Sequence, residues 1–99
     1  MKSGYRIFWT EHASSELDQT IQYLQTEFSA KEISKLLIKL EETLELISIN
    51  PKIFPISDKK GIRKAILLKY NSIYYREINN TVEIFSFFSN RQNLTKRKI

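Results

Sequence analysis

The sequence predicts an α+β fold with the element order β-α-α-β-β-β, a helical hairpin packed on a small antiparallel sheet. Three observations lead there. A short β-rich run opens the chain, two amphipathic stretches of helical period follow, and three β-rich runs separated by turn residues fill the second half. Ninety-nine residues, 41% of them apolar, are enough for one hydrophobic core and too few for two. We read residues 1–90 as a single domain and residues 91–99 as a basic tail.

Tyr5, Ile7 and Trp9 alternate with Arg6 and Phe8, the pattern of a first strand with one face buried. Thr10 then offers a hydroxyl to cap a helix beginning at Glu11. In that helix Ala13, Leu17, Ile21, Leu24 and Phe28 recur at spacings of four, four, three and four, with Glu16, Asp18, Gln19, Gln22 and Gln25 on the other side. Ser29 and Glu32 have the spacing of a capping box, which starts a second helix. Its stripe is Ile33, Leu36, Leu37, Leu40, Leu44 and Ile47. It stops at Asn50-Pro51, because the residue before proline is pushed out of helical geometry. Almost no loop separates the two helices, so they form an antiparallel hairpin.

Lys52 to Gly61 reads as an irregular connection, the longest in the chain. Strands are expected at Ile62–Leu68, Ser72–Ile78 and Val82–Phe88. Tyr70-Asn71 turns the first pair, and Asn79-Asn80 suits a tight hairpin because asparagine tolerates positive φ.

Composition excludes several classes of function. The chain has no cysteine and a single histidine, His12, so disulfides, thiol nucleophiles and the usual zinc ligand sets are absent, and neither metal nor cofactor is expected. No apolar run approaches the length of a bilayer span, and the N-terminus lacks the apolar stretch of a secretory signal. The expected compartment is the cytoplasm, with no membrane partner.

The net charge of +5 is unevenly spread. Residues 1–50 hold five Lys/Arg against eight Asp/Glu, a balance of −3, and residues 51–99 hold eleven against three, a balance of +8. Such asymmetry marks a face that meets phosphates or an acidic protein, the alternative being a basic surface kept for solubility. Ile38, Leu46 and Ile49 fall outside the core stripe of the second helix and suggest a second apolar strip for a partner.

The element order, Trp9-Thr10 leading into a helix, the stop at Asn50-Pro51, Ile62-Arg63 in a strand, Tyr70-Asn71-Ser72-Ile73-Tyr74-Tyr75-Arg76, and the aromatic strand Ile84 to Phe88 running into Asn90-Arg91-Gln92-Asn93 together resemble the RelE/ParE superfamily of toxins. The resemblance covers nearly the whole chain. It implies the toxin of a type II toxin–antitoxin module, of the kind that serves plasmid stabilization, neutralised by a cognate antitoxin that folds onto its surface. Two targets follow from the two branches. ParE-like members inhibit DNA gyrase, whereas RelE-like members are metal-independent endoribonucleases that cleave mRNA on the ribosome through the ribose 2′-OH.

A nuclease of this type needs a proton acceptor, cations for the charge growing on the phosphate, and an acid for the leaving oxygen. Arg63, Arg76 and Arg91 are the candidate catalytic cations, expected near one end of the sheet. Arg63, Lys64, Arg91, Lys96 and Arg97 are the candidates for binding a target or the antitoxin. The alternative for each is a solvated surface charge. Tyr70, Tyr74 and Tyr75 are candidates for stacking on bases, against the commoner role of strand packing.

The arginine that RelE-like nucleases carry near the start of the third strand is missing, since the matching positions read Asn71-Ser72-Ile73-Tyr74-Tyr75. No tyrosine or histidine follows Tyr75, and His12 starts the first helix, away from the expected cleavage face. The reading therefore favours the ParE-like branch, acting by binding. Alternatives are a RelE-like nuclease and a non-toxic module that only pairs with an antitoxin.

Overall fold

The computed structural model describes residues 4–57 and 60–89. Arg91, Lys96, Arg97 and the rest of the expected tail lie outside the described residues. The elements are β1 (Arg6–Trp9), α1 (Glu11–Glu27), α2 (Ala30–Ile49), a one-turn 3-10 helix at Pro51–Ile53, β2 (Arg63–Leu67), β3 (Asn71–Ile78) and β4 (Thr81–Ser89). This is the expected β-α-α-β-β-β order.

Local chemistry sets most boundaries. Thr10 Oγ1 accepts from the Ala13 backbone N–H at 3.1 Å, the predicted cap of α1. Ser29 stands at the N-cap of α2, but its side chain makes no capping bond. The expected capping box is therefore not formed. The Glu32 N–H is taken by the Ser29 backbone carbonyl instead, at 3.0 Å. Asn50 ends α2, and its side chain accepts from the N–H of Lys52 as the chain turns into the 3-10 helix.

The sheet order is β1-β4-β3-β2. β2, β3 and β4 form the antiparallel meander, and β1 extends the sheet parallel to β4, with Ile7 beside Val82 and Trp9 beside Ile84. That parallel pairing adds to the antiparallel sheet read from the sequence. It exists because α1 and α2 return the chain over the sheet before the meander begins, which leaves β4 in the middle. Asn79 and Asn80 both adopt positive φ at the β3–β4 turn, as a two-residue hairpin of this hand requires. The β2–β3 turn is Leu68–Tyr70, not Tyr70-Asn71: Asn71 already belongs to β3, and Leu68 takes the left-handed conformation at φ 56°.

The helices cover one face of the sheet. Ala13, Leu24, Leu36, Leu40 and Ile47 from the hairpin meet Ala65, Leu67, Ile73, Tyr75, Val82, Ile84 and Phe87 from the strands in one core. Three residues of the expected stripes, Ile21, Phe28 and Leu37, neither belong to it nor pack against it. Leu37 and Phe28 are each 40% exposed, and Thr43 is buried where α2 turns its inner face to the sheet. Leu37 follows Leu36 by one residue, about 100° round the helix, so both cannot face the core fully. Phe28 lies past the end of α1 and packs its ring against Tyr23 at a centroid distance of 5.9 Å. Ile38, Leu46 and Ile49 are exposed, as the second apolar strip requires.

Candidate interaction surfaces

The connection after α2 is held down by side chains from the sheet. It places Pro51 against the core and then runs back beside β2, where Ile56 bridges Arg63 and the Lys64 N–H donates to Pro55 O at 3.2 Å. The Tyr75 hydroxyl donates to the Pro51 carbonyl at 2.8 Å, and Arg63 Nη1 donates to the Phe54 carbonyl at 2.7 Å. Burial pushes the Tyr75 phenol above its ordinary pKa, while the positive charge of Arg63 and the backbone of Phe54 pull the other way.

Register decides which way each candidate cation points. Arg63 lies opposite Tyr75, and Tyr75 is fully buried on the face that the helices cover. Side chains alternate along a strand, so Arg63 shares that inner face and Arg76, the next residue after Tyr75, projects from the outer one. Arg63 and Arg76 thus sit at the same end of the sheet on opposite faces. Tyr75 is core, Tyr74 is half-buried on the outer face, and Tyr70 stands in the β2–β3 turn.

The outer face is built from cross-strand pairs. Lys64 lies opposite Tyr74 with its ammonium 5.7 Å from the ring centroid. Arg76 lies opposite Glu83, its Nε 3.2 Å from Oε1, and its guanidinium is 5.9 Å from the Phe85 ring centroid. Phe8 is next to Glu83 on β1 and is 53% exposed. Cations and aromatic rings in adjacent positions make a surface that suits a protein or a nucleic acid equally by composition.

Two features had no signal in the sequence. Glu16 of α1 reaches the part of β4 that extends past the end of β1: its Oε1 accepts from the Phe87 N–H at 2.8 Å and from Ser86 Oγ at 3.1 Å. The exposed His12 stands 3.3 Å from the other oxygen, at the helix end of this contact. In the sequence Glu16 is one more polar residue on the solvent side of a helix. The sequence places Asn71 in a turn, but it is only 9% exposed and its Oδ1 is buried without a partner.

Asn71 lines a groove of about 530 Å³ between α2 and the β2–β3 turn, together with Leu24, Leu36, Ile38, Lys39, Leu68 and Lys69. Among the described residues no cluster of three or more His, Asp or Glu is placed to hold a metal ion, and no helix is long and apolar enough to cross a membrane.

Comparison with known proteins agrees with this architecture. The model of a family described as the ParE toxin of the type II toxin–antitoxin system parDE matches residues 7–94. A chain of a chromosomal ParDE toxin–antitoxin system from P. aeruginosa superposes with a TM-score of 0.72 at 17% identity, over 86% of this chain and 95% of that one. A conserved hypothetical protein from Helicobacter pylori superposes with a TM-score of 0.57 at 10% identity, over 88% of this chain and 96% of that one. At these identities the superpositions establish a common fold. No curated protein matches the sequence.

Proposed function

Because this chain belongs to the ParE toxin family of type II toxin–antitoxin systems, a family match that spans most of its length, we propose that it arrests growth by binding DNA gyrase and not by cutting RNA. The partner that the family implies is an antitoxin. Gyrase and the antitoxin both act inside the cell, so on this reading the toxin works in the cytoplasm.

The observation that carries the proposal is the separation of Arg63 from Arg76. Arg63 faces the helices and spends a guanidinium N–H on the Phe54 carbonyl, whereas Arg76 faces outward and is paired with Glu83. Phosphate cleavage needs preorganised cations converging on one developing charge. Two arginines on opposite faces do not converge. The outward pair of Arg76 with Phe85 is compatible with a protein-binding face, where arginine and aromatic residues are enriched. In this reading residues 1–90 form the toxin domain, and the tail 91–99 adds Arg91, Lys96 and Arg97 to the contacts with an acidic partner.

The test is incorporation of labelled thymidine and methionine during the first minutes after induction of this chain alone, with a supercoiling assay on purified gyrase. The proposal expects thymidine uptake to stop first and supercoiling to be inhibited. Methionine uptake stopping first, with gyrase unaffected, would replace it with the ribosome-dependent nuclease. No effect on either would leave a non-toxic antitoxin-pairing module.

A further inference from the structure

We propose that the protein target of the toxin docks on the outer face of the sheet, laying an apolar side chain on Phe8 and setting carboxylates against Arg6 and Lys64. The inference rests on the gyrase-binding reading above and names the surface and the chemistry of the contact.

Both helices pack on the inner side of the sheet, where Tyr75, Ile84 and Phe87 are enclosed, so the outer side has no helical layer. An antiparallel sheet with one solvated face alternates apolar residues inside with polar residues outside. Here alternation turns Phe8, Tyr74, Phe85, Phe88 and Ile66 outward, at least one on each of the four strands. Phe8 on β1 is 53% exposed and Ile66 on β2 is 59% exposed, at the two edges of the sheet, with the half-buried rings of β3 and β4 between them. An uncovered apolar surface of this kind, rimmed by polar groups, marks a place where another molecule binds.

Charge then chooses the occupant. Glu83 lies between Phe8 and Arg76 in register, and its carboxylate is paired with Arg76 Nε at 3.2 Å, so the middle of the face is locally neutral. The remaining cations stand on the two edge strands, Arg6 on β1 and Lys64 on β2, and neither joins an ion pair among the described residues. A nucleic acid strand laid across the face would bring phosphates against Glu83. Two of the rings on which its bases would stack already carry a cation, Lys64 on Tyr74 and Arg76 on Phe85. A folded protein surface meets neither obstacle, because its carboxylates can be placed over Arg6 and Lys64 alone and an apolar group over Phe8.

The experiment measures inhibition of supercoiling by purified gyrase with the full chain and three outer-face variants. Phe8→Thr, which keeps a strand-forming residue, Arg6→Glu and Lys64→Glu should each raise the concentration for half-inhibition by roughly tenfold or more. Circular dichroism and thermal melting of the free variants should match the parent. Rising salt should weaken inhibition by the parent and affect Arg6→Glu less. Lys31→Glu makes the same charge change at the start of α2 and should leave inhibition unchanged. Parent-like inhibition by all three outer-face variants overturns the proposal. So does an equal loss in Lys31→Glu, which would trace the effect to net charge and not to this face. Unchanged inhibition together with lost binding of a labelled single-stranded oligonucleotide would give the face to nucleic acid instead. If the parent chain itself does not inhibit gyrase, the gyrase reading fails and this proposal falls with it, an outcome that the parent alone distinguishes from the others.

Discussion

The hydroxyl of Tyr75, in the centre of the sheet, donates to the carbonyl of Pro51 at 2.8 Å and so ties the end of the helical hairpin to β3 across 24 residues of sequence. The bond is buried, and Tyr75 is fully enclosed. Tyr75→Phe keeps the ring and removes the donor. The expected cost is about 1–2 kcal/mol, roughly 5–15 °C in Tm for a chain of this size, measured by thermal denaturation.

The same hydroxyl gives a pH dependence. Burial raises the Tyr75 pKa above its ordinary 10.0, so the folded chain holds the proton more tightly than the unfolded one. Stability from this group is complete below the unfolded pKa and is lost as pH rises through the higher folded value. Tyr5 acts with the same sign, because a hydrogen bond to Glu77 and that residue's negative charge raise its pKa too. Urea unfolding across alkaline pH should show stability falling above about pH 10. Tyr75→Phe should reduce the slope and leave the part due to Tyr5. An unchanged slope would mean that Tyr75 is not enclosed.

Arg63 and Arg76 should separate stability from surface function. Arg63→Ala removes the donor to Phe54 O and should cost about 1–3 kcal/mol, a loss seen in urea denaturation. Arg76→Ala breaks a half-exposed pair with Glu83 and should cost under about 1 kcal/mol. If Arg76→Ala proved the more damaging to stability, the assignment of the two faces would be wrong.

Glu16 protects the section of β4 that β1 does not cover. Glu16→Ala leaves the Phe87 N–H without its acceptor and should cost about 1–3 kcal/mol. Glu16→Gln keeps an acceptor oxygen and should recover part of that loss. Hydrogen exchange at the Phe87 amide gives a local readout, faster in the alanine variant and intermediate in the glutamine variant.

The two helix starts give a paired control. Thr10→Ala should cost about 1 kcal/mol because its hydroxyl caps Ala13 N, whereas Ser29→Ala should change little because Ser29 makes no side-chain cap. Equal losses at both positions would show that a Ser29 cap forms in solution.

The sequence by itself determined what depends on neighbours in the chain. The 3.6-residue period of Ala13, Leu17 and Leu24, the Thr10 cap, the proline stop after Asn50 and the two asparagines at the β3–β4 turn are local constraints, and each appears at its place in the structure. Tertiary structure decided the faces. Ala65-Ile66-Leu67-Leu68 is apolar without alternation, so its pattern does not say which residues look inward. Only the pairing of Arg63 with Tyr75, under a helical hairpin that covers one side, turns Arg63 to the loop and leaves Arg76 outside. The Glu16 contact to Phe87 spans 71 residues, and the orphaned oxygen of Asn71 depends on α2 and the β2–β3 turn meeting in space. A polar residue's partner at that sequence distance is set by packing, which no local periodicity encodes.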